Sequence, residues 1–128
     1  MLLATTLRNI LADAIDTTIN TGGAGSAKFQ NGAQTATYAT CALSATAFGA
    51  AATGVITLAG TPTDTSAGAG TTTKIGFYDG SAALQFTLGV NDTGSPEVTI
   101  SNNTFQAGDQ VEISSLTVTV PAGSAITT

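Results

Sequence analysis

The residues of this chain that could do chemistry are few, and most are acidic. Asp64, Asp79, Asp92 and Asp109 each fall among turn-forming residues. Loop carboxylates are what calcium prefers. No D-x-D-x-D spacing links these four, however, and the ordinary role of a turn Asp is to accept nearby backbone N–H groups. The turn role is therefore the expectation for all four, and no metal site is expected. Asp13 and Asp16 stand three apart, a spacing that pairs carboxylates on one helix face. They read as a solvated patch or as an electrostatic contact for a basic partner. Cys41 falls in mid-strand. A thiol needs a base or a positive neighbour to become a nucleophile, so it reads as a buried, inert side chain. Asp79 and Asp109 are the best candidates for a carboxylate-based hydrolase, but nothing in their spacing supports that role. Asn91-Asp92-Thr93 and Asn102-Asn103-Thr104 match the glycosylation acceptor pattern, which a Thr-rich chain produces by chance. No catalytic residue, no cofactor and no enzymatic activity are expected.

The composition closes further routes. The 128 residues contain no His, no Trp and one Cys. A His-based triad or zinc site and an internal disulfide are thereby excluded. Three basic residues against eight acidic ones give a net charge of -5. That is too little positive charge for a phosphate-binding stripe, so no nucleic-acid partner is expected. No apolar run reaches the roughly 18 residues of a membrane helix, and the opening residues lack the basic and apolar regions of a secretory signal. No membrane partner is expected. Thr, Ala and Gly make up nearly half of the chain, and Leu, Ile, Val and Phe only 22% of it. Much of the core must then be Ala and Thr methyls, each worth on the order of 0.8 kcal/mol. A domain so built gains from subunit contacts.

The elements that position these residues are one helix and a series of strands. Leu7, Ile10, Leu11, Ala14, Ile15 and Ile19 have the spacing of one helical face, with Arg8, Asn9, Asp13, Asp16 and Thr17 on the other. Thr5 or Thr6 is the expected cap, and Gly22-Gly23 the expected end. After a Gly-rich hinge the period changes to two. Strands are expected over 28–31, 34–45, 55–58, 73–78, 82–90, 97–101 and 110–120. Asn31-Gly32 and Asp79-Gly80 are hairpin turns, and 73–78 pairs antiparallel with 82–90, with Leu84, Phe86 and Leu88 inward. Residues 91–96 form a polar turn, Val98 and Ile100 point inward, and Phe105 opens a turn. The alanines of 47–54 suggest a helical turn, and Pro62 keeps 60–72 a loop. In the last strand Val111 and Ile113 have one parity and Leu116, Val118 and Val120 the other. A bulge at Ser114-Ser115, or passage from one sheet to another, explains the flip.

The pattern implies a mainly β fold, an antiparallel β-sandwich of immunoglobulin-like or jelly-roll type with one N-terminal α-helix. Its parts are an amphipathic helix over 1–21, a Gly-rich hinge over 22–26, the sandwich domain over 27–121 and a C-terminal arm over 122–128. Lys28 and Lys74 are expected to meet carboxylates. The many Thr residues suit strands, and also extended protein contacts or a sugar-binding surface. Tyr38 and Tyr78 are the two rings on which a sugar could stack.

Several stretches resemble small structural proteins of tailed bacteriophages, of the decoration or minor capsid kind. They are Ala-Phe-Gly-Ala-Ala-Ala-Thr-Gly-Val-Ile-Thr-Leu at 47–58, Ile-Gly-Phe-Tyr-Asp-Gly at 75–80, the ending at 105–121 from Phe105-Gln106-Ala107-Gly108 to Pro121, and the helical opening. The resemblance runs in order over most of the chain. It implies a virion component made in the host cytoplasm and carries no catalytic residues. The expectation is a head decoration (cement) protein on the capsid surface, a homo-oligomer with a trimer favoured, whose partner is the major capsid protein. The shell-contacting residues are expected to be Leu7, Ile10, Leu11 and Ile15 on the helix, with Ala122, Gly123, Ser124, Ala125 and Ile126 in the arm. The rival expectation is a tail or fibre component that binds host-surface glycan.

Overall fold

The computed structural model describes residues 2–91, 98–99 and 102–123. One helix, α1 (Thr5–Ile19), precedes eleven short strands. These are β1 (Ser26–Gln30), β2 (Thr37–Ala42), β3 (Val55–Thr57), β4 (Thr63–Asp64), β5 (Gly70–Thr71), β6 (Lys74–Tyr78), β7 (Leu84–Asn91), β8 (Val98–Thr99), β9 (Thr104–Phe105), β10 (Val111–Glu112) and β11 (Thr117–Thr119). The chain is mainly β with one N-terminal helix. The largest sheet has the order β2-β1-β6-β7-β8, and three two-stranded sheets pair β10 with β4, β11 with β3 and β5 with β9. Every pairing is antiparallel except β7 with β8, which is parallel.

The helix starts without the expected Thr cap. Ala4 holds the cap position with extended angles and no side-chain bond, and Thr5 is already helical. The helix also ends earlier than the expected Gly22-Gly23: Asn20, with right-handed angles, caps it after Ile19, and Gly22 and Gly23 follow with φ of 79° and 116°, which glycine adopts without strain. Beyond them, a Cβ on Gly25 would strike the Tyr78 carbonyl. The small residue lets β1 start directly under the helix.

Two hairpins form the centre. β1 and β2 join through a turn in which Asn31 Oδ1 accepts the N–H groups of Thr35 and Ala36. β6 and β7 join around Asp79, whose Oδ1 accepts from Ser81 and Ala83. β1 and β6 zip the hairpins together. Their inward side chains Ala27, Phe29, Ala39, Cys41, Ile75 and Phe77 are buried with Ile56, Leu58, Phe105, Val111 and Ile113 of the smaller sheets. Phe29 meets Phe105 edge to face at 5.7 Å, and Phe77 stacks on Phe86 at 4.5 Å. Ala12, Ala47 and Ala67 are buried too, so small residues do fill much of the core.

Several strand expectations need correction. Leu84 is 46% exposed rather than inward, because the β6–β7 register slips between Phe77 and Tyr78. Phe86 and Leu88 are only partly buried. Residues 47–54 form no helical turn; they make single bridges, Phe48 with Leu58 and Ala52 with Val55. The loop 60–72 contains β4 and β5; Phe105 ends β9 and is buried, and the expected turn through Ala107, Gly108 and Asp109 follows it, closed by the Asp109 N–H on the Gln106 carbonyl. Of the strand 97–101 only β8 is described; Ile100, Asp92 and the turn over 92–96 lie outside the described residues. The parity flip in the last strand has the second of its two explanations. Val111 and Ile113 are buried where β10 pairs with β4, and the chain then crosses to pair β11 with β3.

Cys41 is fully buried, its Sγ 3.7 Å from the Val111 carbonyl. Burial, and after it the Asp64 carboxylate, push its pKa from 9.0 to about 11. The folded state thus holds the thiol proton more tightly than the unfolded chain does. The stability so gained is present below about pH 9 and is lost as pH rises through about 11. Denaturant melts of the wild type should therefore lose stability over that interval more steeply than melts of Cys41→Ala. Parallel curves would refute the assignment.

Candidate functional site

The helix carries its polar stripe inward. Asn9, Asp13, Asp16 and Asn20 recur at helical spacing, and each accepts one backbone N–H from the connector 47–54. Gly54 donates to Asn9 Oδ1, Ala51 to Asp13 Oδ1 and Phe48 to Asp16 Oδ1, each at 2.7 Å, and Ala47 donates to Asn20 Oδ1 at 3.1 Å. Arg8 Nε adds a bond of 2.9 Å to the Val120 carbonyl. The connector needs these partners because single bridges leave most of its amides without a ladder. Asp13 stays exposed to solvent and Asp16 is half-buried. Their carboxylates bind the chain's own backbone.

The apolar stripe faces outward as a consequence. Leu7 is 44% exposed, Ile10 60% and Leu11 42%. Ala14, Thr17 and Thr18 complete an exposed face without a charged residue. Only Ala12 and Ile19 are fully buried, and Ile15 packs partly on the core. Of the four helix residues expected to bind a partner, three are exposed and Ile15 borders a groove of about 280 Å³. Ala14, Thr18, Gln85, Phe86 and Val118 line the rest of that groove. In the arm, Ala122 and Gly123 are exposed, and Ala122 O accepts the Leu3 N–H. Ser124, Ala125 and Ile126 lie outside the described residues.

The acidic candidates stay apart. The Asp79 carboxylate is buried in its own turn and also accepts from Gln85 Nε2 at 2.9 Å. Asp109 Oδ2 accepts the Gln106 N–H, at the rim of a second cavity of about 270 Å³ that Glu112 shares and Asp79 does not. Asp64 accepts the Thr40 and Ser66 N–H groups, which hold its carboxyl below the usual range. Asp79 and Asp109 thus act as turn residues, whereas Asp64, in β4, also ties its loop to Thr40 of β2. Among the described residues no three His, Cys, Asp or Glu side chains are grouped to hold a metal ion. None of the described helices is long and apolar enough to cross a membrane. Lys28 lies over the Tyr78 ring at 4.6 Å rather than on a carboxylate. The Tyr78 hydroxyl is tied to Gln30, and the Tyr38 ring packs against Gly70, so neither tyrosine is a free stacking platform.

Sequence periodicity shows the two faces of the helix but not which one turns in. The signal that would have told them apart lies in the connector: eight residues without a strand pattern, opposite four side-chain acceptors at helical spacing. No protein-family model, no curated protein and no solved structure matches the chain.

The two faces should respond to substitution in opposite ways. Asp16→Ala strands the Phe48 N–H and should cost about 1–3 kcal/mol in urea unfolding. Ile10→Ser, on the exposed stripe, should stay within about 0.5 kcal/mol of wild type. The reverse order would mean that the helix is turned the other way.

Proposed function

We propose that this chain is a non-enzymatic virion protein of a tailed phage, a head decoration (cement) protein that binds the major capsid lattice as an oligomer. The observation that carries the reading is the outward apolar stripe Leu7, Ile10 and Leu11 on a helix whose polar side chains are engaged within the fold. A chain so short of large apolar residues gains little by leaving three of them in water. Docking recovers about 25 cal/mol for each Å² of apolar surface covered. We read the sheets as two layers of an antiparallel sandwich around the Phe29–Phe77 core, a rigid block that presents this helix. The uncharged stripe suits an apolar seam between capsid subunits. A protein that binds only the assembled shell stabilises it by mass action. The resemblance of 47–58, 75–80 and 105–121 to phage structural proteins supports the same reading. The glycan-binding alternative is weakened by the engagement of both tyrosines.

Quantitative mass spectrometry of purified particles, normalised to the major capsid protein, tests it. A copy number equal to the capsid subunit count or a simple fraction of it is expected. Leu7→Ser/Ile10→Ser/Leu11→Ser should lower binding to bare capsids at least about tenfold, or 1.4 kcal/mol, with unchanged thermal stability. A handful of copies, absence from particles, or undiminished binding of the triple variant would overturn the reading.

A further inference from the structure

The sheet of β3 and β11 has one margin that no strand covers. On β11, Leu58 N–H donates to Leu116 O and Val120 N–H to Gly54 O. Bonded and unbonded positions alternate along an antiparallel ladder, so the N–H and C=O groups of Thr117 and Thr119 turn away from β3. Both residues are exposed, and β11 has no second partner strand among the described residues. Pro121 holds the next outward position and has no N–H to offer. The free margin is thus four main-chain groups on two residues, placed symmetrically about Val118. Neither residue is the lysine or proline that guards an exposed edge.

We propose that this margin pairs with the same margin of a second copy, antiparallel and about a two-fold axis through Val118. Thr117 of one copy then stands opposite the partner's Thr119, and Thr119 opposite the partner's Thr117. Each such pair exchanges two bonds, so the four free groups of each strand are all satisfied and none is left over. Three observations select a second copy of this chain as the occupant. First, Thr117-Val118-Thr119 reads the same from both ends, so the two-fold register sets Thr beside Thr on the exposed face, a favourable cross-strand pair. Second, Val118 meets the partner's Val118 at the unbonded position, where Cα atoms come within about 4.5 Å. Each Val118 already borders the groove with Ile15 and Phe86, so the apolar contact continues from one copy into the other. Third, two chains of net charge -5 repel except where charge is absent, and residues 55–63 and 113–121, which hold β3 and β11, carry none. The result is a four-stranded sheet, β3 and β11 of one copy followed by β11 and β3 of the other. An isologous contact closes at two copies, so this joint builds pairs. It goes beyond the functional reading, whose oligomer it specifies, and it uses none of the stripe residues Leu7, Ile10 and Leu11.

The test is light-scattering mass in solution at rising protein concentration. The wild type is expected to reach twice the 12.5 kDa mass of the chain. Thr117→Lys/Thr119→Lys changes two exposed side chains, so melting should be unchanged, yet it sets like charges opposite each other twice across the axis. It should weaken pairing at least about tenfold, and so should Thr117→Glu/Thr119→Glu. An equimolar mixture of these two variants should form a species with one chain of each, because every lysine then faces a glutamate. Thr117→Lys/Thr119→Glu should pair with itself at least as well as the wild type, which the antiparallel register allows and a parallel one does not. Leu7→Ser/Ile10→Ser/Leu11→Ser should keep the doubled mass. A wild-type mass of one chain or of three, undiminished pairing of the double-lysine variant, folded variants that stay apart on mixing, or loss of pairing in the triple serine variant would each overturn the proposal. No particle is needed, so the two readings fail separately. Absence from virions removes only the functional reading, whereas a single-chain mass removes only this joint.

Discussion

The interaction on which the rest depends is the set of hydrogen bonds between α1 and the connector 47–54. Four backbone N–H groups, of Ala47, Phe48, Ala51 and Gly54, end on Asn20, Asp16, Asp13 and Asn9. The connector is mostly alanine and glycine and cannot satisfy itself. Turning the helix over would bury Leu7, Ile10 and Leu11 and gain about 1.5–3 kcal/mol for each. It would also remove the acceptor from four amides, at about 1–3 kcal/mol each. The apolar gain is in turn reduced, because Ile19 and Ala12, fully buried now, and Ile15 would be exposed. The balance tips because two of the acceptors are carboxylates, whose bonds to N–H groups are the stronger kind. An inverted helix would also leave backbone amides under an apolar face that offers them no acceptor. Polar satisfaction therefore sets the rotation of the helix, and the exposed apolar stripe follows from it.

This constraint also explains what the sequence shows and what it hides. Periodicity reports that a helix has two faces, but the choice of the inward one depends on a segment 27 to 45 residues away. The β1–β2 and β6–β7 hairpins are legible because Asn31-Gly32 and Asp79-Gly80 are local signals flanked by alternating strands. The crossing of the last strand is legible because one stretch carries two parities. The pairs β4–β10 and β5–β9 have two residues a side, too short for any period to show. Alternation misplaces Leu84 because a register slip beside Tyr78 leaves no mark in the sequence pattern. The turn roles of Asp79 and Asp109 are legible without the fold, since an Asx bond is made within a few residues, whereas the bond of Asp64 to Thr40 is not.

A second consequence concerns how such a chain meets others. Its charge is acidic overall, and one of its three basic side chains, Arg8, is spent on the Val120 carbonyl. Copies therefore gain little from broad electrostatic attraction. The uncharged surfaces, the helix stripe and the β11 edge, are where association costs least. They differ in kind. The stripe offers apolar area without direction, which suits a surface of matching shape. The edge offers directed main-chain groups, which suit one extended segment in one register. The bonds between α1 and the connector make this division possible, since they fix the helix beside β11 with its apolar side outward and its polar side already satisfied.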